Sequence, residues 1–286
     1  MRIDMTTEPG DPQRPNEDYV SVALPASGWG GALVLLDGVT PPREDVGCAH
    51  GVPWFTARLG SAMLELSGSR RDMTLAECLA AAIARTAEAH VSTCDLSHIR
   101  TPQATVVAAR WDEDRVEHLV LSDSALLVEG DDGEVTPVLD RRLTELPPPV
   151  RALRDRVHAL RAAGETEELA AARAAYVRAV EGLRNAPDGT GFYTAAADPA
   201  VAGRAVTGTL PRARVRALLA LTDGAARWTE TFRLGDWAGL LSLVRKEGAG
   251  ALVARVRTAE SADPDCVAFR RGKRHDDAAL ALAELA

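Results

Sequence analysis

The sequence has few of the features that mark nucleic-acid-binding or membrane-spanning proteins. Its 33 Lys and Arg residues are outnumbered by 41 Asp and Glu, giving a formal charge of -8, whereas nucleic-acid binding rests on clustered basic residues. No run of about 18 apolar residues occurs, so no transmembrane helix is expected. The opening segment MRIDMTTEPG lacks the apolar core of a signal peptide. We therefore expect a cytoplasmic protein with neither nucleic-acid nor membrane partners.

Cysteine and several common catalytic motifs are also scarce. The four cysteines are far apart in sequence and form no CxxC pair, which predicts reduced thiols rather than disulfides or a zinc site. The six histidines form no HExxH motif, and His50, His90, His98, His118 and His158 are most simply surface or partly buried residues. The sequence contains neither a GxSxG elbow nor a GxxxxGK[ST] loop. These absences argue against a serine hydrolase of the α/β type and against a P-loop nucleotide-binding protein.

Apolar residues are abundant at 46%, but aromatics make up only 4%, so the core must rest on Val, Leu and Ala. Short apolar runs bounded by Gly, Asp, Pro or Ser predict strands at residues 19–24, 32–36, 105–110, 116–121, 125–128, 215–221 and 278–283. The polar turn WDEDR joins two of them, and Asp132-Gly133 predicts a hairpin between 125–128 and 135–139. Because the strands come in neighbouring pairs, we expect an α/β protein (α+β type) with mostly antiparallel sheets covered by helices.

Helices are predicted between the strand blocks, at 51–66, after the capping-box spacing of Thr74 and Glu77, and at 237–256. Residues 147–185 differ, because three prolines precede two amphipathic stretches that Gly164 separates. This segment predicts a helical hairpin inserted into a single domain of residues 1–286. Four arginines give its first helix a basic face, which is read as an ordinary solvated face, with a docking surface as the alternative. They are Arg151, Arg154, Arg156 and Arg161.

Acidic residues stand where several predicted strands begin or end. Asp37, Asp123 and Asp223 each follow an apolar run, and the first and last of these are followed by glycine. Glu17-Asp18 and Asp276-Asp277 each lead directly into a strand. Any one Asp-Gly pair is most simply a turn. As a set, carboxylates gathered at sheet edges repel one another unless cations neutralise them, and oxygen ligands suit Mg²⁺ or Mn²⁺.

Six short motifs carry a family resemblance in their order along the chain. They are R-P-N-E-D at 14–18, L-L-D-G at 35–38, A-T-V-V-A-A at 104–109, S-D-S at 122–124, L-T-D-G at 221–224 and H-D-D-A-A-L at 275–280. The chain thus resembles the metal-dependent phosphatases of the protein phosphatase 2C family, in particular the divergent bacterial branch. The resemblance implies a four-layer α-β-β-α sandwich, with two mostly antiparallel sheets face to face and helices outside.

The resemblance also implies roles for individual residues. Asp37 corresponds to the carboxylate that bridges two metal ions, and Gly38 offers its carbonyl to one of them. Asp223 and Asp276 correspond to ligands of the first ion, Glu17 and Asp18 belong to the second, and Asp123 matches a weaker third site. Arg14 is the candidate cation for the phosphate. The implied reaction is hydrolysis of phosphate monoesters, most simply phosphoserine or phosphothreonine in proteins, by a water that bridges two Mg²⁺ or Mn²⁺ ions.

The chain departs from the family pattern at several positions. Arg14 stands three residues before Glu17 instead of four, and Val39-Thr40-Pro41-Pro42 replaces the Gly-Gly-His that often follows Asp-Gly. Asp277 replaces a frequent asparagine. These departures predict an altered pocket and leave two alternatives open. One is a catalytically silent relative that binds a phosphorylated partner or acts as a scaffold, and the other is a phosphatase of a small phosphorylated metabolite.

Overall fold

The computed structural model describes residues 1–26, 30–42 and 46–285, and within them the chain forms ten strands and seven α-helices. The strands are β1 (Arg2–Glu8), β2 (Tyr19–Ala23), β3 (Gly31–Leu36), β4 (Val106–Trp111), β5 (Arg115–Leu121), β6 (Ala125–Gly130), β7 (Val135–Leu139), β8 (Val206–Pro211), β9 (Val215–Leu221) and β10 (Ala278–Glu284). The helices are α1 (Val52–Ser69), α2 (Leu75–Glu88), α3 (Pro148–Ala163), α4 (Thr166–Glu181), α5 (Asp223–Glu230), α6 (Trp237–Glu247) and α7 (Ala249–Ala262).

The strands form two five-stranded sheets, one in the order β1-β10-β9-β6-β7 and the other in the order β2-β3-β4-β5-β8. Every strand pairing is antiparallel. The pairings Tyr19↔Leu36 and Leu280↔Leu221 set the register, so that the start of β2 lies beside the end of β3, and the start of β10 beside the end of β9. Segments that carry the acidic motifs are therefore adjacent within each sheet.

Three apolar layers hold the sandwich together. Between the sheets, side chains such as Leu33, Leu35 and Val107 from one sheet meet Leu218 and Ala281 from the other. The opposite faces of the sheets pack against α1 and α2 on one side, and against α5, α6 and α7 on the other. This is the predicted four-layer sandwich of antiparallel sheets flanked by helices, and the fold prediction is confirmed.

Local sequence signals account for most of the element boundaries. The capping box is present at the start of α2, where Thr74 Oγ1 accepts from the Glu77 amide at 3.2 Å and Glu77 accepts from the Thr74 amide at 2.7 Å. The Asp132-Gly133 turn joins β6 to β7, with Gly133 at φ +84°. The predicted helical hairpin is formed by α3 and α4, which pack around Leu146, Val150 and Phe192. That residues 1–286 form one domain stays a prediction.

The structure differs from the sequence-based expectations in three places. The single helix predicted at 237–256 is two helices, α6 and α7, because Gly248 adopts φ +94° between them. Strands β1 and β8 were not predicted, since both are partly exposed edge strands without a continuous apolar run. Asp223 does not begin a turn after β9 but the helix α5.

Two of the four free cysteines lie close together in space although they are far apart in sequence. Cys48 and Cys94 are 46 positions apart in sequence, yet their Sγ atoms are 2.9 Å apart. His90, expected at the surface or partly buried, is 2% exposed, and its Nδ1 atom contacts the Cys48 thiol. As to membrane insertion, none of the helices in residues 1–26, 30–42 and 46–285 has the length and apolarity needed to cross a bilayer.

Candidate metal centre

The two sheets deliver their acidic residues to one end of the sandwich. Asp37 follows β3 in one sheet and Asp223 follows β9 in the other, while Asp123 lies between β5 and β6 and Asp276 precedes β10. These four carboxylates line a single cleft of about 420 Å³. Glu17 lines an adjoining cleft of about 390 Å³ that also contains Thr40. Residues up to 239 positions apart in sequence therefore converge, as the motif order led us to expect.

The carboxyl groups of this cleft repel one another when they are ionised. Burial raises the pKa of Asp37 well above its usual range, and the charges of Asp223, Asp18 and Asp276 raise it further. Burial and the neighbouring Asp223 raise the pKa of Asp276 to about 6. The pKa values of Asp123 and Asp223 are raised as well, and so is that of Asp18, which is not among the residues that line either cleft; burial is the main cause in each case. Ionising all of these groups near neutral pH requires additional positive charge in the cleft.

The donor set fits divalent cations that prefer oxygen ligands. The lining carboxylates offer only oxygen, and the buried Oδ2 atom of Asp18 has no hydrogen-bond partner among the described residues. An unpaired buried carboxylate oxygen is costly unless it binds a cation. The cleft therefore has the chemical character of a Mg²⁺ or Mn²⁺ site, in which a carboxylate can bridge two ions.

Asp37 is held by Thr105, the residue that directly precedes β4. Its amide donates to Thr105 Oγ1 at 3.2 Å, and its carbonyl accepts from the Thr105 amide at 2.9 Å. The Thr105 hydroxyl is in turn 2.6 Å from Ser124 Oγ. At the next residue, a Cβ on Gly38 would lie 2.5 Å from the Glu17 carbonyl oxygen. Glycine at position 38 thus allows the Glu17 segment to approach Asp37.

Asp223 sits in the first turn of α5, where its amide is 3.4 Å from Asp37 Oδ2. The positive end of the helix dipole therefore faces the Asp37 carboxylate. Gly224 permits a second close approach, that of the start of α5 to the backbone of Asp277. A Cβ at position 224 would lie 1.9 Å from the Asp277 carbonyl oxygen. The Asp-Gly pair after β9 thus reflects packing between motifs rather than a turn.

Asp276 is oriented by a buried ionic network. Arg227, one turn after Asp223 on α5, donates to Asp276 Oδ2 at 2.5 Å and to Glu260 Oε1 at 2.6 Å. Glu260 is fully buried and also accepts from Arg257 at 2.9 Å, and it lies 2.8 Å from His275 Nδ1. The network holds one oxygen of Asp276 and leaves Oδ1 directed to the amide of Asp277 and to Lys273.

Asp277 has a structural role that the sequence did not reveal. One of its oxygens accepts from the Gly10 amide and the other from the Glu17 amide, each at 2.7 Å. An asparagine offers a single acceptor oxygen, whereas the carboxylate uses both. The departure from the family asparagine therefore ties the Glu17 segment to β10, and the charge of Asp277 also raises the pKa values of Glu17 and Asp18.

The altered loop after Gly38 also supports Glu17. Thr40 Oγ1 donates to Glu17 Oε2 at 2.5 Å, while the Val39 amide donates to the Gln103 carbonyl at 2.9 Å. Burial raises the pKa of Glu17, and the Thr40 hydrogen bond counteracts this rise. Thr40 therefore positions Glu17, a predicted metal ligand. The segment that replaces Gly-Gly-His thus supports the site through this threonine.

The cations around the cleft differ from those that the sequence indicated. Arg14 lines the adjoining cleft with Glu17 and does not line the cleft of Asp37 in the described structure. Lys273, which no sequence signal singled out, lines both clefts, pairs with Asp276 and reaches Thr40 Oγ1 at 3.3 Å. Its pKa is raised, because the attraction of Asp276 outweighs the opposing effect of burial.

Comparison with known proteins identifies the family. The sequence profile of protein phosphatase 2C matches residues 11–260, which is most of the chain, and the chain belongs to that family. No curated protein sequence gives a significant match.

Solved structures share the fold at low sequence identity. The serine/threonine phosphatase Stp1 from Staphylococcus aureus is 14% identical with a TM-score of 0.53, covering 99% of this chain and 94% of that chain. The Mycobacterium tuberculosis serine/threonine phosphatase PstP/Ppp is 17% identical with a TM-score of 0.55, covering 99% and 97%. The catalytic domain of PstP in complex with two manganese ions is 16% identical with a TM-score of 0.54, covering 99% and 97%.

Proposed function

We propose that this chain is a metal-dependent phosphatase that hydrolyses phosphate monoesters, with phosphoserine or phosphothreonine in proteins as its substrate class. The observation that carries the proposal is the convergence of Asp37, Asp123, Asp223 and Asp276 in one cleft, with raised pKa values that cations would reverse. Membership of the protein phosphatase 2C family supports it. So does the fold shared with a phosphatase domain that binds two manganese ions.

In this proposal the ligands follow the motif positions. Asp37 and the carbonyl of Gly38 would help to hold two Mg²⁺ or Mn²⁺ ions. Asp223 and Asp276 would hold the first ion, and Glu17 and Asp18 would serve the second. Asp123 provides a third, weaker site. Divalent ions held there would supply positive charge for the phosphoryl group and lower the pKa of a nearby water.

The chain's own cations bind and orient the phosphoryl group. Arg14 lies beside Glu17, and its planar guanidinium suits two phosphate oxygens at once. Lys273 lies between the two clefts, where its ammonium stabilises the Asp276 carboxylate and adds positive charge next to the phosphate.

The surface beside the centre favours a peptide over a small metabolite. A further cleft of about 400 Å³ lies between the loop 39–42 and α4, and its lining includes the apolar side chains Pro41, Tyr176 and Val177. It shares five lining residues with the cleft of Asp37: Val39, Thr40, Arg173, Val180 and Arg184. A continuous, largely apolar groove accommodates residues flanking a phosphorylated side chain, whereas a metabolite site would enclose its ligand.

Phosphate release from p-nitrophenyl phosphate and from phosphoserine and phosphothreonine peptides tests the proposal directly. We expect activity that depends on Mn²⁺ or Mg²⁺ and that falls by at least about 100-fold in Asp37→Asn, since the central ligand is lost. Asp155→Asn, which removes an exposed carboxylate on α3, is the matched control and should retain wild-type activity.

Two results would contradict the proposal: no metal-dependent phosphate release from any of these substrates, or full activity in Asp37→Asn. The catalytically silent alternative predicts weak or absent Mn²⁺ binding by calorimetry, with the phosphopeptide still bound. The metabolite alternative predicts faster turnover of a small phosphate ester than of every phosphopeptide in a panel.

A further inference from the structure

Two cysteines and two histidines form a second cluster, made of different donor atoms. One ligand-type atom from each of Cys48, His50, His90 and Cys94 lies within 4.8 Å of all the others. The Nδ1 atom of His90 is 3.4 Å from Cys48 Sγ, and that of His50 is 3.4 Å from Cys94 Sγ. The remaining recorded separations are 2.9 Å between the two sulfurs and 3.9 Å between Cys48 Sγ and His50 Nδ1.

The helical pair α1–α2 brings the four residues together. Cys48 and His50 immediately precede α1, whose N-cap is Gly51, and His90 and Cys94 follow α2 in the turns after its C-cap Ala89. Because the two helices pack against each other and are joined by a short connection, the beginning of one lies beside the end of the other. The backbone fixes this arrangement, since the Asp95 amide donates to the Gly47 carbonyl at 2.7 Å.

The surroundings restrain both imidazoles. His90 is 2% exposed, and the ring of His50 stacks on Trp54 with a centroid separation of 4.0 Å. Trp54 also contacts the His90 ring at 5.2 Å. A tryptophan from the first turn of α1 therefore holds the two rings beside the thiols, an arrangement common around a metal site, where the surrounding shell fixes ligand orientation.

The donor set and its dimensions fit zinc. In a tetrahedral site with Zn–S near 2.3 Å and Zn–N near 2.0 Å, ligand atoms are about 3.3–3.8 Å apart. Three of the four recorded separations lie at or close to this range, and the sulfur pair is shorter than it. Thiolates with imidazoles suit zinc and disfavour Mg²⁺, which prefers oxygen. A disulfide between the cysteines would use both sulfurs and leave two oriented imidazoles without a role.

We propose that Cys48, His50, His90 and Cys94 bind a structural Zn²⁺ ion that joins the entry of α1 to the exit of α2. Four protein ligands close the coordination shell, so this ion has no open position for chemistry. Its effect on the acidic centre is indirect. The segment between Gly38 and Cys48 carries Thr40, which bonds Glu17, and the zinc would anchor the far end of that segment.

Metal analysis of the full chain, purified without added zinc and dialysed against a weak chelator, is the first experiment. We expect about one Zn²⁺ per chain, retained in Asp37→Asn because the acidic cleft does not hold it. Replacement by Co²⁺ should give the near-ultraviolet absorption of thiolate–cobalt charge transfer, a signature that carboxylate ligands cannot produce. A chain with no zinc and no such absorption would overturn the proposal, whatever the phosphatase activity is.

Variants assign the ligands. Cys94→Ser should lower the zinc content by at least about tenfold and reduce the charge-transfer absorption, because only the Cys48 thiolate remains. Cys78→Ala is the matched control, because it removes a thiol from α2 that packs in the helix–sheet core instead of the cluster. Equal zinc content in wild type and Cys94→Ser would contradict the assignment.

Thiol alkylation of the wild-type chain avoids dependence on variant folding. With zinc bound, Cys48 and Cys94 should resist iodoacetamide, and a strong chelator should expose both, as read by peptide mass spectrometry. Detection of a Cys48–Cys94 disulfide in place of zinc in freshly purified protein would reject the metal and support a covalent link.

Discussion

The guanidinium of Arg227 and the carboxylate of Asp276 form a buried ion pair, with Nη2 and Oδ2 2.5 Å apart. Arg227 is 6% exposed and Asp276 7% exposed. The same guanidinium contacts Glu260, which Arg257 and His275 also reach. A predicted metal ligand is thus held by a second layer of charged groups on α5 and α7, and neither its position nor its charge is independent of them.

Replacing Arg227 by methionine should destabilise the protein and weaken metal binding together. The change leaves the buried carboxylates of Asp276 and Glu260 without a shared cation, which typically costs 3–5 kcal/mol, and we expect about 3 because Glu260 keeps Arg257 and His275. Mn²⁺ affinity should fall about 10- to 100-fold, as is usual when a partner that orients a ligand is lost. Urea unfolding in chelator and calorimetric titration with Mn²⁺ measure the two effects.

Arg255→Met is the control for that substitution. Arg255 pairs with Glu247 at 2.7 Å, but both side chains are about half exposed, so its loss should change stability by less than about 1 kcal/mol. Unchanged Mn²⁺ affinity in Arg227→Met would show that Asp276 is positioned without its arginine, or that it binds no metal.

The raised pKa of Asp276 predicts how the stability of the metal-free protein depends on pH. The group has a pKa of about 6 in the folded, metal-free chain and an ordinary value of 3.8, so the folded state holds the proton more tightly. Its contribution to stability is full below pH 3.8 and is lost as the pH rises through 6, because ionisation is then unfavourable in the fold. The difference corresponds to about 3 kcal/mol.

Asp276→Asn removes this contribution, together with the effect of the Asp276 charge on the pKa values of Asp37 and Asp18. In chelator, the variant should gain stability relative to wild type between pH 4 and pH 7 in urea unfolding, by up to about 3 kcal/mol. At pH 7, saturating Mn²⁺ should make the wild type more stable than the variant, since only the wild type keeps the Asp276 carboxylate as a metal ligand. A difference that does not vary with pH would mean that Asp276 titrates normally.

The sequence predicted the fold and most of the carboxylate cluster because both depend on patterns that lie within short segments. Apolar runs ending in Asp37 and Asp223 specify strands and place the acid at their ends. The antiparallel pairing within each sheet then follows from the neighbouring-pair arrangement of strands. The family resemblance supplied the face-to-face packing of the two sheets, which brings Asp37 and Asp223 to the same cleft. Edge strands β1 and β8 escaped prediction because exposure removes the apolar pattern.

The parts that could not be predicted depend on contacts between distant segments. Lys273 and Arg227 occupy positions that carry no periodic or motif signal, and their roles arise only where α5 and the segment before β10 meet. The Cys48–Cys94 contact arises from the packing of α1 against α2, and the spacings C-x-H and H-x3-C fall outside the CxxC pattern. The three-dimensional structure reveals all of these residues. In the sequence, the Cys and His residues could be found by a search for Cys and His pairs on both sides of two consecutive helices.

Asp277→Asn tests whether this carboxylate ties the Glu17 segment to β10. Asparagine keeps one acceptor and places an NH₂ group toward the other amide, so one of the 2.7 Å bonds to Gly10 and Glu17 is lost. We expect a loss of about 1–3 kcal/mol in unfolding free energy and weaker Mn²⁺ binding through the displaced Glu17. Asp11→Asn, which disturbs one exposed turn bond to the Gln13 amide, should be nearly neutral in both measurements.

The helical hairpin should influence peptide recognition without influencing the chemistry. Glu181, at the end of α4, is 6% exposed and forms a two-point pair with Arg100, with distances of 2.8 and 3.2 Å. This pair holds α4 against the segment that precedes β4, and both residues line the groove assigned to the peptide. Glu181→Gln weakens the pair and should widen the groove while leaving Asp37 and its neighbours in place.

The expected result for Glu181→Gln is a KM for phosphopeptides raised about three- to tenfold, with kcat and the hydrolysis of p-nitrophenyl phosphate unchanged, because the small ester makes no contact with the groove. Glu168→Gln is the matched control on the same helix, since its pair with Arg156 spans 3.5 Å and is largely exposed. An equal rise in KM for both substrates would mean that Glu181 supports the metal centre. An unchanged KM for every peptide would mean that the groove does not bind the peptide substrate. Peptides that differ only in the residues flanking the phosphoserine then separate the two readings, because only a groove contact makes the effect of Glu181→Gln depend on those residues.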